Sequence, residues 1–242
     1  MKRAVPTSSR AVTTTGRSVD YGSGIPDGGL LHNWDAQQQS LTDGNSGNFI
    51  DTKGSKDLTT LGGPTFRSSA VNGLPAFEYD GSGDGHRDVS GARLGTNNEY
   101  TFATVFALTG SYPGHGDAEI IAQNGERGDG NLHAVAPSRS AYRQSHWGEP
   151  NNELGTPDTN AHILISAYDG TDVTLWLDTA DQTTITNYGY PNSPTAFNVG
   201  QHDNASRSQA RAFVSHVLHY DQYYDAAQRE QLGNSLRDYW SF

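Results

Sequence analysis

His162-Ile163-Leu164-Ile165-Ser166-Ala167-Tyr168-Asp169-Gly170-Thr171-Asp172-Val173-Thr174-Leu175-Trp176-Leu177-Asp178 decides the fold. Two runs of aliphatic and aromatic residues flank Asp169-Gly170, and Asp-Gly between such runs is a strong local signal for a β-hairpin with a primed turn. In the second arm Val173, Leu175 and Leu177 share one face, while Asp172, Thr174, Trp176 and Asp178 share the other. The pattern predicts an antiparallel hairpin buried on one face and wet on the other, with Trp176 on the wet side.

Working outward, residues 100–108 alternate strictly. Phe102, Thr104, Phe106 and Leu108 fall on one face and Thr101, Ala103, Val105 and Ala107 on the other, which predicts a central strand covered on both sides. Residues 119–125 and 131–136 predict a strand pair across a glycine-rich turn. Residues 140–147 predict a further strand, and 146–160 a long Pro/Asn/Gly loop. Residues 195–200 and 210–220 predict the last two strands. Asp225 with Gln228 then forms a capping-box signature ahead of an apolar stripe of Leu232, Leu236, Tyr239 and Trp240, which predicts one C-terminal helix. Glycine and Asx residues are abundant and no other helical period appears. A chain of 242 residues is long enough for one sandwich core, so an all-β reading leads.

The first third adds a more specific pattern. Trp34-Asp35-Ala36 is followed by the short strand Asn48-Phe49-Ile50-Asp51, then Gly54-Ser55-Lys56-Asp57-Leu58, Gly63-Pro64-Thr65-Phe66 and Asn72-Gly73-Leu74-Pro75-Ala76-Phe77-Glu78-Tyr79-Asp80-Gly81. This order closely resembles the opening of laminin-G-like domains, members of the concanavalin-A-like lectin/glucanase superfamily found in viral tail, fibre and appendage proteins and in secreted microbial proteins. The Tyr-Asp-Gly hairpin and the capped terminal helix are similar to the middle and end of the same family. The resemblance runs from about Leu30 to the C-terminus. It implies a concanavalin-A-like jelly-roll β-sandwich with one C-terminal α-helix.

Residues 1–24 carry no such pattern. Lys2, Arg3, Arg10 and Arg17 all precede the first acid, Asp20, so an extended basic N-terminal arm (1–24) is expected ahead of a sandwich domain (25–242). The arm reads either as a disordered tail or as a segment that docks on a partner or neighbouring subunit. It has no apolar run of the kind a standard secretory signal carries.

Net charge is −11, and lysine occurs only at 2, 53 and 56. Such a surface disfavours nucleic acid as a partner and is compatible with a high-salt setting, where screening removes self-repulsion. With no cysteine, disulfides and thiolate metal sites are excluded. No apolar stretch approaches bilayer length, so membrane insertion is not expected.

Glucanases of this sandwich class use a strand with paired acids of the Glu-x-Asp-x-x-Glu type, because retaining chemistry needs two carboxyls about 5 Å apart. The nearest sequence, Asp117-Ala118-Glu119, lacks the third acid, and no Gly-x-Ser-x-Gly elbow is present. No catalytic residue is therefore assigned. Asp80-Gly81-Ser82-Gly83-Asp84-Gly85 matches the first half of a calcium loop, with Asp88 as a further carboxylate, but Gly91 stands where the bidentate Glu belongs. Calcium on Asp80, Asp84 and Asp88 is one reading and a polar glycine turn the other. Sugar recognition needs an exposed aromatic face ringed by polar groups. Trp147, with His146, Arg143 and Glu149, offers one in the long loop, and Trp176 offers a second plane. The alternative is that Trp147 closes a strand end and Trp176 packs under a covering segment.

These readings lead to an expected function: a non-enzymatic surface module that binds a cell-surface glycan, a glycoprotein or a partner surface. Its expected setting is a virion appendage (tail, fibre or turret) of a halophile-infecting virus. It would lie on the virion or outside the cell, form a homo-oligomer, and join other virion or assembly subunits through its arm. A purely structural assembly subunit and a glycan-cleaving enzyme are the alternatives.

Overall fold

The computed structural model describes residues 24–90, 99–110, 120–125, 133–135, 140–146, 152–179, 181–186, 196–201 and 209–242. In chain order its strands are β1 (Leu30–Asp35), β2 (Thr59–Leu61), β3 (Thr65–Val71), β4 (Leu74–Asp80), β5 (Gly85–Asp88), β6 (Tyr100–Leu108), β7 (Ala122–Asn124) and β8 (His133–Val135). They continue with β9 (Tyr142–His146), β10 (Asn152–Leu154), β11 (Ala161–Tyr168), β12 (Val173–Leu177), β13 (Asp181–Ile185), β14 (Phe197–Val199) and β15 (Arg211–Tyr220), and the helix α1 (Ala226–Trp240) follows. The first sheet runs β13-β12-β11-β6-β15-β4-β3, with β1 also paired to β15, and the second runs β10-β9-β8-β7-β14-β5-β2. The chain is an all-β sandwich with one C-terminal helix.

Strand β6 sits between β11 and β15 with all nine residues buried. Its Phe102 and Phe106 reach the second sheet, 5.7 Å from Phe197 and 5.9 Å from Tyr142. Trp34 stacks on Phe197 at 4.4 Å, and Phe77 packs against Phe49 and Phe66. Each such ring, fully removed from water, contributes about 2–3 kcal/mol. On the opposite face of β6, the Thr101 hydroxyl donates to the Gln222 carbonyl and accepts from the Tyr224 amide.

The deciding hairpin forms as β11 and β12, in register from Leu164–Leu177 to Tyr168–Val173. The Asp169 amide donates to the Asp172 carbonyl at 3.2 Å across Gly170-Thr171, Gly170 takes φ +95°, and the Asp169 carboxylate accepts the Thr171 and Asp172 amides at 2.9 and 2.7 Å. One detail differs from the expectation: β12 is buried on both faces, because α1 covers the side assigned to water.

That helix starts as expected. The Asp225 carboxylate accepts the Gln228 amide while the Gln228 side chain accepts the Asp225 amide. Leu232, Leu236 and Trp240 are fully buried, and Tyr239 donates to Asp35 Oδ2 at 2.6 Å. Trp240 Nε1 donates to His216 Nδ1, so the His216 proton lies on Nε2, which faces Asn33 Oδ1 at 2.5 Å. Burial lowers the His216 pKa, with Asp35 opposing only in part.

Strand β10 lies inside the stretch expected to be one long loop. Three polar-flanked residues give no readable period. Their pairing is set from outside, by Asn152 Nδ2 donating to the carbonyls of Val173 and Thr183 in the other sheet. No helix among the described residues is long and apolar enough to cross a membrane.

Candidate functional site on the outer face of the second sheet

Alternation decides which side chains of the second sheet leave the core. His86, Phe197, Val199 and Ala122 point inward. Their neighbours Arg87, Asn198 and Gln123 therefore point outward. Register brings these three side by side: Asn198 of β14 pairs with Arg87 of β5 on one flank and Gln123 of β7 on the other. Further along the same sheet Arg143 of β9 lies opposite Glu153 of β10.

The central pair is unusual in its hydrogen bonding. Asn198 and Gln123 are both 0 % exposed. Neither Asn198 Nδ2 nor Asn198 Oδ1 has a hydrogen-bond partner, and Gln123 Oε1 has none either. Gln123 Nε2 donates to the Gly125 carbonyl at 2.7 Å. An enclosed amide without partners costs about 1–3 kcal/mol, and native structures contain few of them. Arg143 Nε is likewise buried without a partner.

Among the residues singled out from sequence, Arg143 lies on this face. Trp147 and Glu149, the side chain of His146 and residues 1–23 of the N-terminal arm lie outside the described residues. Trp176 is corrected: it is only 2 % exposed and lies under α1, because the helix spans the face that alternation assigned to water. It anchors the helix and offers no open plane.

The three aspartates do not converge. Asp80 accepts from the Ser82 amide at 2.7 Å, and Asp84 from the Gly63 amide at 2.6 Å. Burial, reinforced by the Asp80 charge, raises the Asp84 pKa, whereas the Ser82 hydrogen bond leads in lowering that of Asp80. Asp88 instead meets Lys56 Nζ at 2.6 Å and Ser90. Among the described residues no three His, Cys, Asp or Glu side chains are placed to hold a metal ion. The calcium reading of this trio does not fit.

A second polar cluster lies at the end of the hairpin. His162 Nδ1 meets Asp178 Oδ2 at 2.8 Å and His162 Nε2 meets Asp158 Oδ1 at 2.9 Å. Burial pulls the imidazole pKa down, but the two carboxylates outweigh it and hold the pKa above the ordinary value. Both ring nitrogens are engaged, so the cluster is a clamp between β11 and the segments flanking it.

Sequence reasoning missed Asn198 and Gln123. Residues 195–200 read as a strand, which put Asn198 opposite Phe197, but nothing local shows that β5 and β7 flank it.

No protein-family model and no curated protein sequence matches the chain. Among solved structures it is similar to the Trypanosoma rangeli sialidase in complex with the inhibitor DANA, at 14 % identity and TM-score 0.63 over 86 % of this chain and 33 % of that one. It is also similar to domain 4 of AbnA, a GH43 extracellular arabinanase from Geobacillus stearothermophilus, in complex with arabinotriose. There the identity is 11 % and the TM-score 0.64, over 84 % of this chain and 98 % of that domain. The chain thus spans about a third of the sialidase and nearly all of the arabinanase domain. At these identities the likeness is one of fold. The expectation of a non-enzymatic virion-appendage module is corrected by these neighbours, which belong to a sialidase and an arabinanase.

Proposed function

We propose that this chain handles glycan as part of its breakdown, holding a saccharide on the outer face of the second sheet. One observation carries the reading: Asn198 is fully enclosed with both amide atoms unpartnered, between Arg87 and Gln123 on adjacent strands. An enclosed amide without partners is satisfied when a saccharide hydroxyl supplies the contacts it lacks. The fold supports it, since a domain of similar fold and nearly the same length holds arabinotriose. The finer family reading, a laminin-G-like jelly roll beginning near residue 25, belongs to the same proposal. Trp147, His146, Arg143 and Glu149 belong to the same proposal as groups that contact the saccharide.

A second reading, that the chain itself cleaves glycan, is favoured by its likeness to a sialidase. Two measurements on the purified protein test these readings. A glycan array should show saccharide binding that Asn198→Leu abolishes, and a reducing-end assay on the bound saccharide decides whether this chain cuts it. Binding to nothing on the array would overturn the proposal.

A further inference from the structure

The segment 155–160, which carries the chain from β10 in the second sheet to β11 in the first, lies on the surface as a strap. Gly155, Thr156, Asp158, Thr159 and Asn160 are exposed and Pro157 is half-buried. Beneath the strap are Tyr142 and Leu177: a side chain begun at Gly155 would stand 3.1 Å from Leu177 Cδ2 and 3.5 Å from Tyr142 Cδ2. Asp158 holds it down. The Asp158 amide donates to the Tyr142 hydroxyl at 2.9 Å, and the carboxylate accepts the Asn160 amide and meets His162 Nε2 at 2.9 Å.

The charge of His162 decides whether that grip lasts. A charged imidazole carries an N–H on each nitrogen and serves Asp158 and Asp178 together, whereas a neutral one carries a single N–H. The two carboxylates then compete for it on unequal terms. Asp178 is fixed through the main chain, since its Oδ1 accepts the Ile163 amide at 2.8 Å and its own amide donates to the Ile163 carbonyl at 2.8 Å. Its side chain is 30 % exposed, against 49 % for Asp158. The carboxylate nearer water loses less when its donor leaves, because water takes the donor's place. The remaining proton therefore stays on Nδ1, and Nε2 turns a lone pair toward Asp158 Oδ1. Two acceptors at that distance repel, and Asp158, on the exposed strap, is the one that yields.

The other rings around His162 do not titrate with it. Tyr142 faces it from β9 with centroids 4.8 Å apart, and burial pushes its phenol up to about 12. Phe106 faces it from β6 and carries no charge.

We propose that His162 is a proton-operated latch: charged, it ties the strap 155–160 to the end of the hairpin, and neutral, it lets Asp158 go while keeping Asp178. Burial pulls the imidazole pKa down but the two carboxylates outweigh it, so the strap opens on the alkaline side of 6.5 and uncovers Tyr142. The latch stands independently of the glycan reading.

Amide solvent exchange by NMR on the intact chain tests it, with each rate corrected for its intrinsic pH dependence. The His162 ring shifts give the titration midpoint in the same samples. Across that midpoint, protection of the Asp158 amide should fall about ten-fold or more, the scale of one hydrogen bond to a charged group. The Ile163 amide, bonded to Asp178, should keep its protection. In His162→Gln the Asp158 amide should lose its pH dependence. In Asp158→Asn the new amide donates to the neutral Nε2, so the strap should stay closed in alkali. Loss of protection at both Asp158 and Ile163, at Ile163 alone or at neither would overturn the proposal, as would a wild-type pH profile in either variant.

Discussion

The indole of Trp176 fills the space directly beneath Gly233, so that a methyl group built on Gly233 would lie 2.0 Å from Trp176 Cη2. Glycine in a helix interior is normally about 1 kcal/mol worse than alanine. Here the relation reverses, because the helix backbone meets the Trp176 ring at a position that has no side chain.

Gly233→Ala should therefore lower the melting temperature, with a loss of about 1–3 kcal/mol from overpacking, although the same change stabilises an ordinary helix. Urea unfolding of the two proteins measures it. A variant as stable as wild type would mean that α1 does not rest on Trp176.

Asp51 should prove to be the organiser of the segment between β1 and β2. It is fully buried, and it accepts the amides of Asn33, Lys53, Gly54 and Lys56 as well as His32 Nδ1. Burial raises its pKa, but these donors outweigh burial and hold it low. Asp51→Ala leaves several donors unpaired and should cost about 3 kcal/mol or more. A loss under 1 kcal/mol in chemical denaturation would show that water replaces the carboxylate.

The clamp at His162 should act over a defined pH range. Its pKa is raised above 6.5 in the fold, so its stabilisation is fully present below 6.5 and is lost as pH rises through the folded value. The stability difference between wild type and His162→Gln should shrink from pH 6 toward pH 9. A difference that grows with pH would mean the imidazole is neutral between its two carboxylates.

His86 should behave in the opposite sense. Buried between the Tyr79 hydroxyl and the Gly47 carbonyl, its pKa is lowered to about 4 by burial. Its contribution is present above 6.5 and is lost as pH falls through about 4. The His86 ring should remain neutral at pH 5 by NMR, and titration near 6.5 would rule out this buried relay.

The hairpin, the central strand and the capped helix were legible because each announces itself locally, through Asp169-Gly170, through alternation at 100–108, and through Asp225 with Gln228. What failed depended on distant partners. Trp176 reads as outward until α1, more than fifty residues on, is laid across it. Asn152 sits in a polar stretch and becomes strand only because the carbonyls of Val173 and Thr183 receive its amide. The same limit hid the candidate site. Asn198 shows its direction in the sequence, but Arg87 and Gln123 are brought beside it by strand order alone.

Asn198→Leu tests the central claim most directly, because structural and binding roles then move in opposite directions. Replacing an enclosed, unpartnered amide with an apolar side chain of similar size removes a desolvation penalty of about 1–3 kcal/mol. The melting temperature should hold or rise, while retention in affinity electrophoresis through arabinan, xylan or starch, whichever retards the wild type, should disappear. A variant that melts at or above the wild-type temperature and is retarded equally would contradict the account.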